Sequence, residues 1–192
     1  MMFEDAREVV VMFEDAREVV VMFEDAREVA VMFEDAREVV EIVKVSRNVD
    51  EMFDDVSDVV VIFDDAKEAE VIFDDAKAVV KIVKRSRKVA VIFDDAKEVA
   101  VIFDDAKDVA VIFEDVSNVA VIFEDAKDVV EIVKVSRNVD EMFDDVSDVA
   151  MIFDDVNEVA MIFDDVNDPI FADPTTVMSL SRNKLLFKTI GP

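Results

Sequence analysis

Acidic pairs recur along this chain at intervals of ten, among them Asp54-Asp55, Asp64-Asp65, Asp74-Asp75, Asp94-Asp95 and Asp104-Asp105. Paired carboxylates can act as general acid and base, or hold a divalent metal through oxygen. Neither use fits here. No pair stands out from its copies, as a catalytic pair would. The glycine that bends a calcium loop is also missing, since the chain's one glycine is Gly191. The acids read as a solvated face, with diffuse low-affinity calcium or magnesium association as a lesser role. No cofactor and no metal site is expected.

Nucleophilic chemistry is poorly provided for. Ser46, Ser86 and Ser136 each precede an arginine, but the chain has no histidine and no cysteine. The usual bases and thiol nucleophiles are therefore missing, and phosphate-cradling glycine loops are excluded by the single glycine. The expectation is a protein that is not an enzyme. One local anomaly is the basic island Lys81, Lys84, Arg85, Arg87 and Lys88, a candidate interaction patch that resembles a short import signal or polyanion site. The plainer reading pairs these cations with acidic repeats of a packed neighbour, where an exposed pair contributes only ~0–1 kcal/mol and sets register. A formal net charge of −27 and the lack of Tyr and Trp argue against nucleic acid as a partner.

All these residues are carried by one ten-residue unit, seen best in Val91–Ala100, V-I-F-D-D-A-K-E-V-A. It repeats in register through seventeen blocks, to about Asp168. Position two is Met or Ile. Position three is Phe in fourteen blocks and Val at Val43, Val83 and Val133. Position six is Ala, Val or Ser, and position nine is Val except at Ala69 and Pro169. Positions one and ten usually prefer apolar residues but accept Asp50-Glu51 and Asp140-Glu141.

At the helical period, positions nine, two, six, ten and three share one arc of about 120°, and the polar positions lie opposite. Only position one is misplaced, and it tolerates charge. A strand reading takes Glu98–Phe103 as buried strand and Asp104–Lys107 as turn, with an even repeat that keeps both faces in phase. Against it, Val49-Asp50-Glu51-Met52-Phe53 puts a charge on each face, and the repeat turns lack Gly and Pro. The expected fold is therefore all-α, a tandem decapeptide array of elongated amphipathic helices. The alternative is a β strand-turn repeat array. Ten residues fall roughly 80° short of three helical turns, which overwinds a coiled coil. Breaks near Asn48, Lys88 and Asn138 would fold the helices into an antiparallel bundle, and Asn48-x-x-Glu51 and Asn138-x-x-Glu141 resemble capping sequences.

Two regions follow: residues 1–168, the repeat array, and 169–192, a basic tail. In the tail, Asp173-Pro174 could open a short helix carrying Arg182, Lys184 and Lys188, with Gly191-Pro192 ending it. The apolar runs are too short to span a bilayer and the start is acidic, so a soluble intracellular protein is expected. The expected function is a non-enzymatic structural or interaction protein, self-associating or binding partners through a Phe/Ile/Val seam. The alternative is a translated tandem-repeat reading frame with no evolved biochemical function, because Glu41–Val59 returns letter for letter as Glu131–Val149. A low-affinity acidic cation binder is the lesser third reading.

Overall fold

The computed structural model describes the backbone of residues 1–164, 169–172, 177–181 and 184–188, and side-chain surroundings through residue 162 apart from 155, 157 and 158. The described chain is entirely β. In order, the strands are β1 (Met2–Glu4), β2 (Glu8–Glu14), β3 (Glu18–Glu24), β4 (Glu28–Glu34) and β5 (Glu38–Asp54). Next come β6 (Asp58–Asp74), β7 (Ala78–Lys84), β8 (Lys88–Asp94), β9 (Glu98–Asp104) and β10 (Asp108–Glu124). Last are β11 (Asp128–Asp144), β12 (Asp148–Asp164), β13 (Pro169–Ala172), β14 (Val177–Ser181) and β15 (Lys184–Lys188).

In the large sheet, β1 to β13, pairing is parallel and twenty residues apart: Val39 opposes Val59, Val59 opposes Val79, and Val79 opposes Val99. Two decads thus make one turn, each supplying one face, and about eight turns stack into a parallel β-solenoid. The long strands β5, β6, β10, β11 and β12 each run along one face, round a corner and onto the other.

The strand period of two explains what points where. Positions nine, one and three alternate into the core, as with the buried Val59, Val61 and Phe63. Positions eight, ten, two and four point outward. The corner comes at position five, where φ is positive at fifteen residues from Asp5 to Asp145. Aspartate enters this left-handed region more readily than most residues bearing a Cβ, which is how the chain turns without glycine. The backbone then returns inward at position six, where the small Ala66, Ala76 and Ala96 are buried. Corner amides also bond between turns: Asp55 donates to the Asp74 carbonyl at 3.1 Å, and Ser57 to the Ala36 carbonyl at 3.1 Å.

The aromatic part of the core is a pair of position-three columns, one from each face. Phe13, Phe33, Phe53, Phe73, Phe93 and Phe113 form one unbroken stack, ring centroids 5.0, 4.9, 4.7, 4.9 and 5.1 Å apart and ring planes nearly parallel. Each separation is close to the spacing of hydrogen-bonded strands, so the stack is imposed by the ladder itself. Each such pair contributes about 0.5–1.5 kcal/mol beyond its buried area.

The helical expectation is overturned. No helix occurs among the described residues, so there is no amphipathic helix, coiled coil or antiparallel bundle. Asn48 and Asn138 lie within β5 and β11, and Lys88 begins β8; none ends a helix. The strand-turn alternative fits instead. Position one, treated as peripheral, belongs to the core, while position two, assigned to the buried seam, faces out. In the tail, β14 and β15 pair antiparallel where a helix was expected; its capping residues Asp173, Pro174, Gly191 and Pro192 lie outside the described residues. β13 continues the parallel register, with Pro169 opposite Val149.

At three corners the aspartate is replaced. Val45 has φ 50°, Arg85 φ 51° and Val135 φ 47°. A β-branched residue is poorly suited to this conformation, at a cost of roughly 1–2 kcal/mol. Val45 and Val135 are each half exposed, so they bury little in return. Replacing each by Asn should raise stability by about 1 kcal/mol, read as a higher urea midpoint with unchanged slope. A lower midpoint would show that the valines are held by packing.

Candidate functional site

The chemically unusual groups lie inside the solenoid. Glu41, Glu51, Lys81, Glu131 and Glu141 all occupy position one, and all are buried, with exposures between 0% and 4%. The ladder places each in a column of apolar residues: Glu41 between Val21 and Val61, Glu131 between Val111 and Met151, Lys81 between Val61 and Val101. The turns that carry these charges also carry a smaller neighbour at position three. Val43 accompanies Glu41, Val83 accompanies Lys81 and Val133 accompanies Glu131. Each valine interrupts a phenylalanine column and leaves room for a long polar chain.

Glu41 meets Glu51 across the core, one from each face, and Glu131 meets Glu141 in the same way. None of their carboxylate oxygens accepts a hydrogen bond from a protein N–H or O–H. The bond open to each pair is a single acid proton shared between two carboxyls. Burial is the first cause that pushes all four up. Glu51 and Glu131 each rise to about 8 from their ordinary 4.5, while Glu41 and Glu141 are raised well above 4.5, with the facing carboxylate adding to burial.

Lys81 is the counterpart. Burial pulls its ammonium down to about 7, and the Glu51 and Glu41 carboxylates oppose that fall. Its Nζ has no hydrogen-bond acceptor but sits 4.7 Å from the centroid of the Phe63 ring and 5.7 Å from that of Phe73. A cation over an aromatic face is favoured by the ring quadrupole, more so when desolvated. Lys81 acts on the first carboxyl pair; among the described residues no cation acts on the second, which is set between Val111, Met151, Val121 and Met161.

The basic island is thereby divided. Lys81 is sealed inside, and Lys84, Arg85, Arg87 and Lys88 stand on the surface. Arg85 pairs with Asp64 and Lys88 lies 3.9 Å from Glu68, both on the preceding turn, as Lys134 lies 3.3 Å from Glu114. These exposed pairs join successive turns and each contributes at most ~1 kcal/mol.

The acidic pairs stand at the corners in columns. Asp35 and Asp125 are raised, first by slight burial and then by carboxylates stacked on adjacent turns, Asp55 and Asp15 for one, Asp145 and Asp105 for the other. Among the described residues, no group of three or more acidic side chains is placed to hold a metal ion. Ser46 and Ser136 are buried and donate to the carbonyls of Asn48 and Asn138 at 3.2 and 3.5 Å, and Ser86 donates to that of Lys84 at 3.5 Å. These hydroxyls serve the corner.

The buried glutamates are the residues that sequence reasoning missed. For Glu41 and Glu131, as for Lys81, the signal is the joint replacement at positions one and three in Glu41–Val43, Lys81–Val83 and Glu131–Val133; Glu51 and Glu141 keep Phe53 and Phe143 and carry no such signal. A surface substitution has no reason to require a smaller neighbour two residues on.

Fold and site together define a two-faced parallel β-solenoid with an aromatic core and internal ionisable groups. No protein family, curated protein or solved structure matches the chain. No helix among the described residues is long and apolar enough to cross a membrane.

Proposed function

We propose that this chain is a non-enzymatic structural and interaction repeat protein, a stiff rod that presents two regular flat faces. The observation that carries the reading is the unbroken Phe13–Phe113 stack, which couples successive turns into one body. The Phe/Ile/Val seam is amended by the fold. Phe and the position-nine Val are consumed in the chain's own core, and Ile62, Ile82, Ile102 and Ile122 remain on the outside, half-buried. Bare parallel sheet faces are uncommon, because parallel sheets are usually covered on both sides. The outward Ile column is thus the surface for self-association or a partner, and the acidic columns beside it oppose contact between two copies at low salt.

The test is light scattering across protein and salt concentration, with far-ultraviolet circular dichroism alongside. Mass should rise with salt in a β-rich sample and stay monomeric when Ile62, Ile82 and Ile102 are replaced by Thr. A helical or coil spectrum would overturn the rod itself, and salt-independent monomers would overturn self-association.

A second reading has its own observation. The nineteen residues Glu41–Val59 recur unchanged at Glu131–Val149, and they carry two buried carboxyl pairs that burden the fold. Recent duplication without an evolved biochemical role accounts for both. An excess of silent over replacement changes among the repeat copies would exclude that reading.

A further inference from the structure

We infer that the groove over Asn48–Val130 on the β8 face is a binding site for an elongated, planar organic cation. The groove is open to solvent along its length and offers about 600 Å³, a volume in the range that small organic ligands fill. It runs along the solenoid axis between two ladders of outward side chains, position eight on one side and position ten on the other. Its floor is the backbone at position nine, whose side chains Val89 and Val109 turn into the core. Five successive turns contribute to it, so its length is about 19 Å at the usual strand spacing.

Shape selects the occupant. Alternate residues of a strand stand about 6.6 Å apart, which admits the thickness of an aromatic plane. An α-helix, about 10–12 Å across with its side chains, is too wide to enter. The groove is broadest at Ala90 and Ala110, where position ten carries only a methyl group, and there a ring system can lie against apolar surface. Charge selects the sign. Asp50, Glu68, Glu70, Asp108 and Asp128 line the groove, against one cation, Lys88, which already lies beside Glu68. The corresponding groove on the opposite face is similar in size, about 700 Å³, and among the described residues is lined by two acids, Glu98 and Asp140. A second copy of this chain is a poor occupant because its own faces carry the same acidic columns.

The experiment uses thioflavin T, a cationic dye built as a rod of flat rings, which fluoresces when its rings are held coplanar. Titration of the full chain should give saturable enhancement, weakened by added salt. Ala90→Leu/Ala110→Leu fills the groove from outside without touching the core and should weaken binding at least about tenfold; Asp108→Asn/Asp128→Asn should weaken it by roughly threefold or more. The opposite-face variant Ala100→Leu/Ala120→Leu should leave it unchanged. Circular dichroism is recorded on every variant. Undiminished binding by Ala90→Leu/Ala110→Leu, or no enhancement by a β-rich wild-type chain, overturns the site alone. A chain without β structure overturns both the site and the rod.

Discussion

Replacing Glu131 and Glu141 together by Val should stabilise the solenoid at pH 8–9 by roughly 1–4 kcal/mol, the range seen when buried charges give way to packed apolar groups. Both side chains are sealed in the core, have no protein donor, and stand between apolar neighbours, Glu131 between Val111 and Met151 and Glu141 between Val121 and Met161. Val is what most other turns carry there, so the variant restores the common repeat.

The same pair predicts an inverted pH response. Glu131 holds its proton to about 8 in the folded chain instead of 4.5, and Glu141 is raised likewise. Between 4.5 and 8 the folded chain therefore binds more protons than the unfolded chain, and stability falls as pH rises. The Glu131 contribution is complete below 4.5 and is gone above about 8, and Glu141 adds to it in the same direction. Each carboxyl of the pair faces the other, and Asp140 adds a further push on Glu141. Corner aspartates that are raised by their stacked neighbours act in the same direction, so the pair is isolated by difference. Urea midpoints at pH 5 and pH 9 should diverge strongly in the wild type and much less in Glu131→Val/Glu141→Val. An equal divergence in the two proteins would mean that these carboxyls do not hold their protons in the folded chain.

Much of this design was legible in the residues, and the part that was not has specific physical causes. The unit length, its register and the small residue at position six could be read directly. Two features of the residues count against strand, and the fold answers both. Charge at Glu41, Glu51 and Glu131 made position one look like surface, when those glutamates lie inside as paired acids. The lack of Gly and Pro argued against turns, yet Asp55, Asp75 and Asp95 make them in the left-handed conformation. An even repeat, the strand period within V-x-V-x-F, and a decad too short for three helical turns all pointed to the sheet. The groove on the β8 face was not legible, because it exists only when residues twenty apart are stacked.

A double-mutant cycle at Lys81 and Val83 tests whether the paired substitutions are one steric event. The Lys81 ammonium sits 4.7 Å from the Phe63 centroid, close to where a ring at position 83 would stack. Val83→Phe alone should therefore overpack the turn and destabilise by about 1–3 kcal/mol. Lys81→Val alone removes a buried cation but leaves a void beside Val83, so its two effects oppose each other. Made together, the changes reproduce the Val101-Ile102-Phe103 arrangement of the next turn and join Phe63 to Phe103 through a new ring. The coupling should be favourable by roughly 1–3 kcal/mol. Loss of the Lys81 charge near Glu41 and Glu51 enters both the single and the double variant, so it cancels from the coupling. Urea unfolding of the four proteins at pH 7 measures it. Additivity within about 0.5 kcal/mol would mean that Val83 makes no room for Lys81, and that the valines at 43, 83 and 133 accompany the buried charges for some reason other than volume.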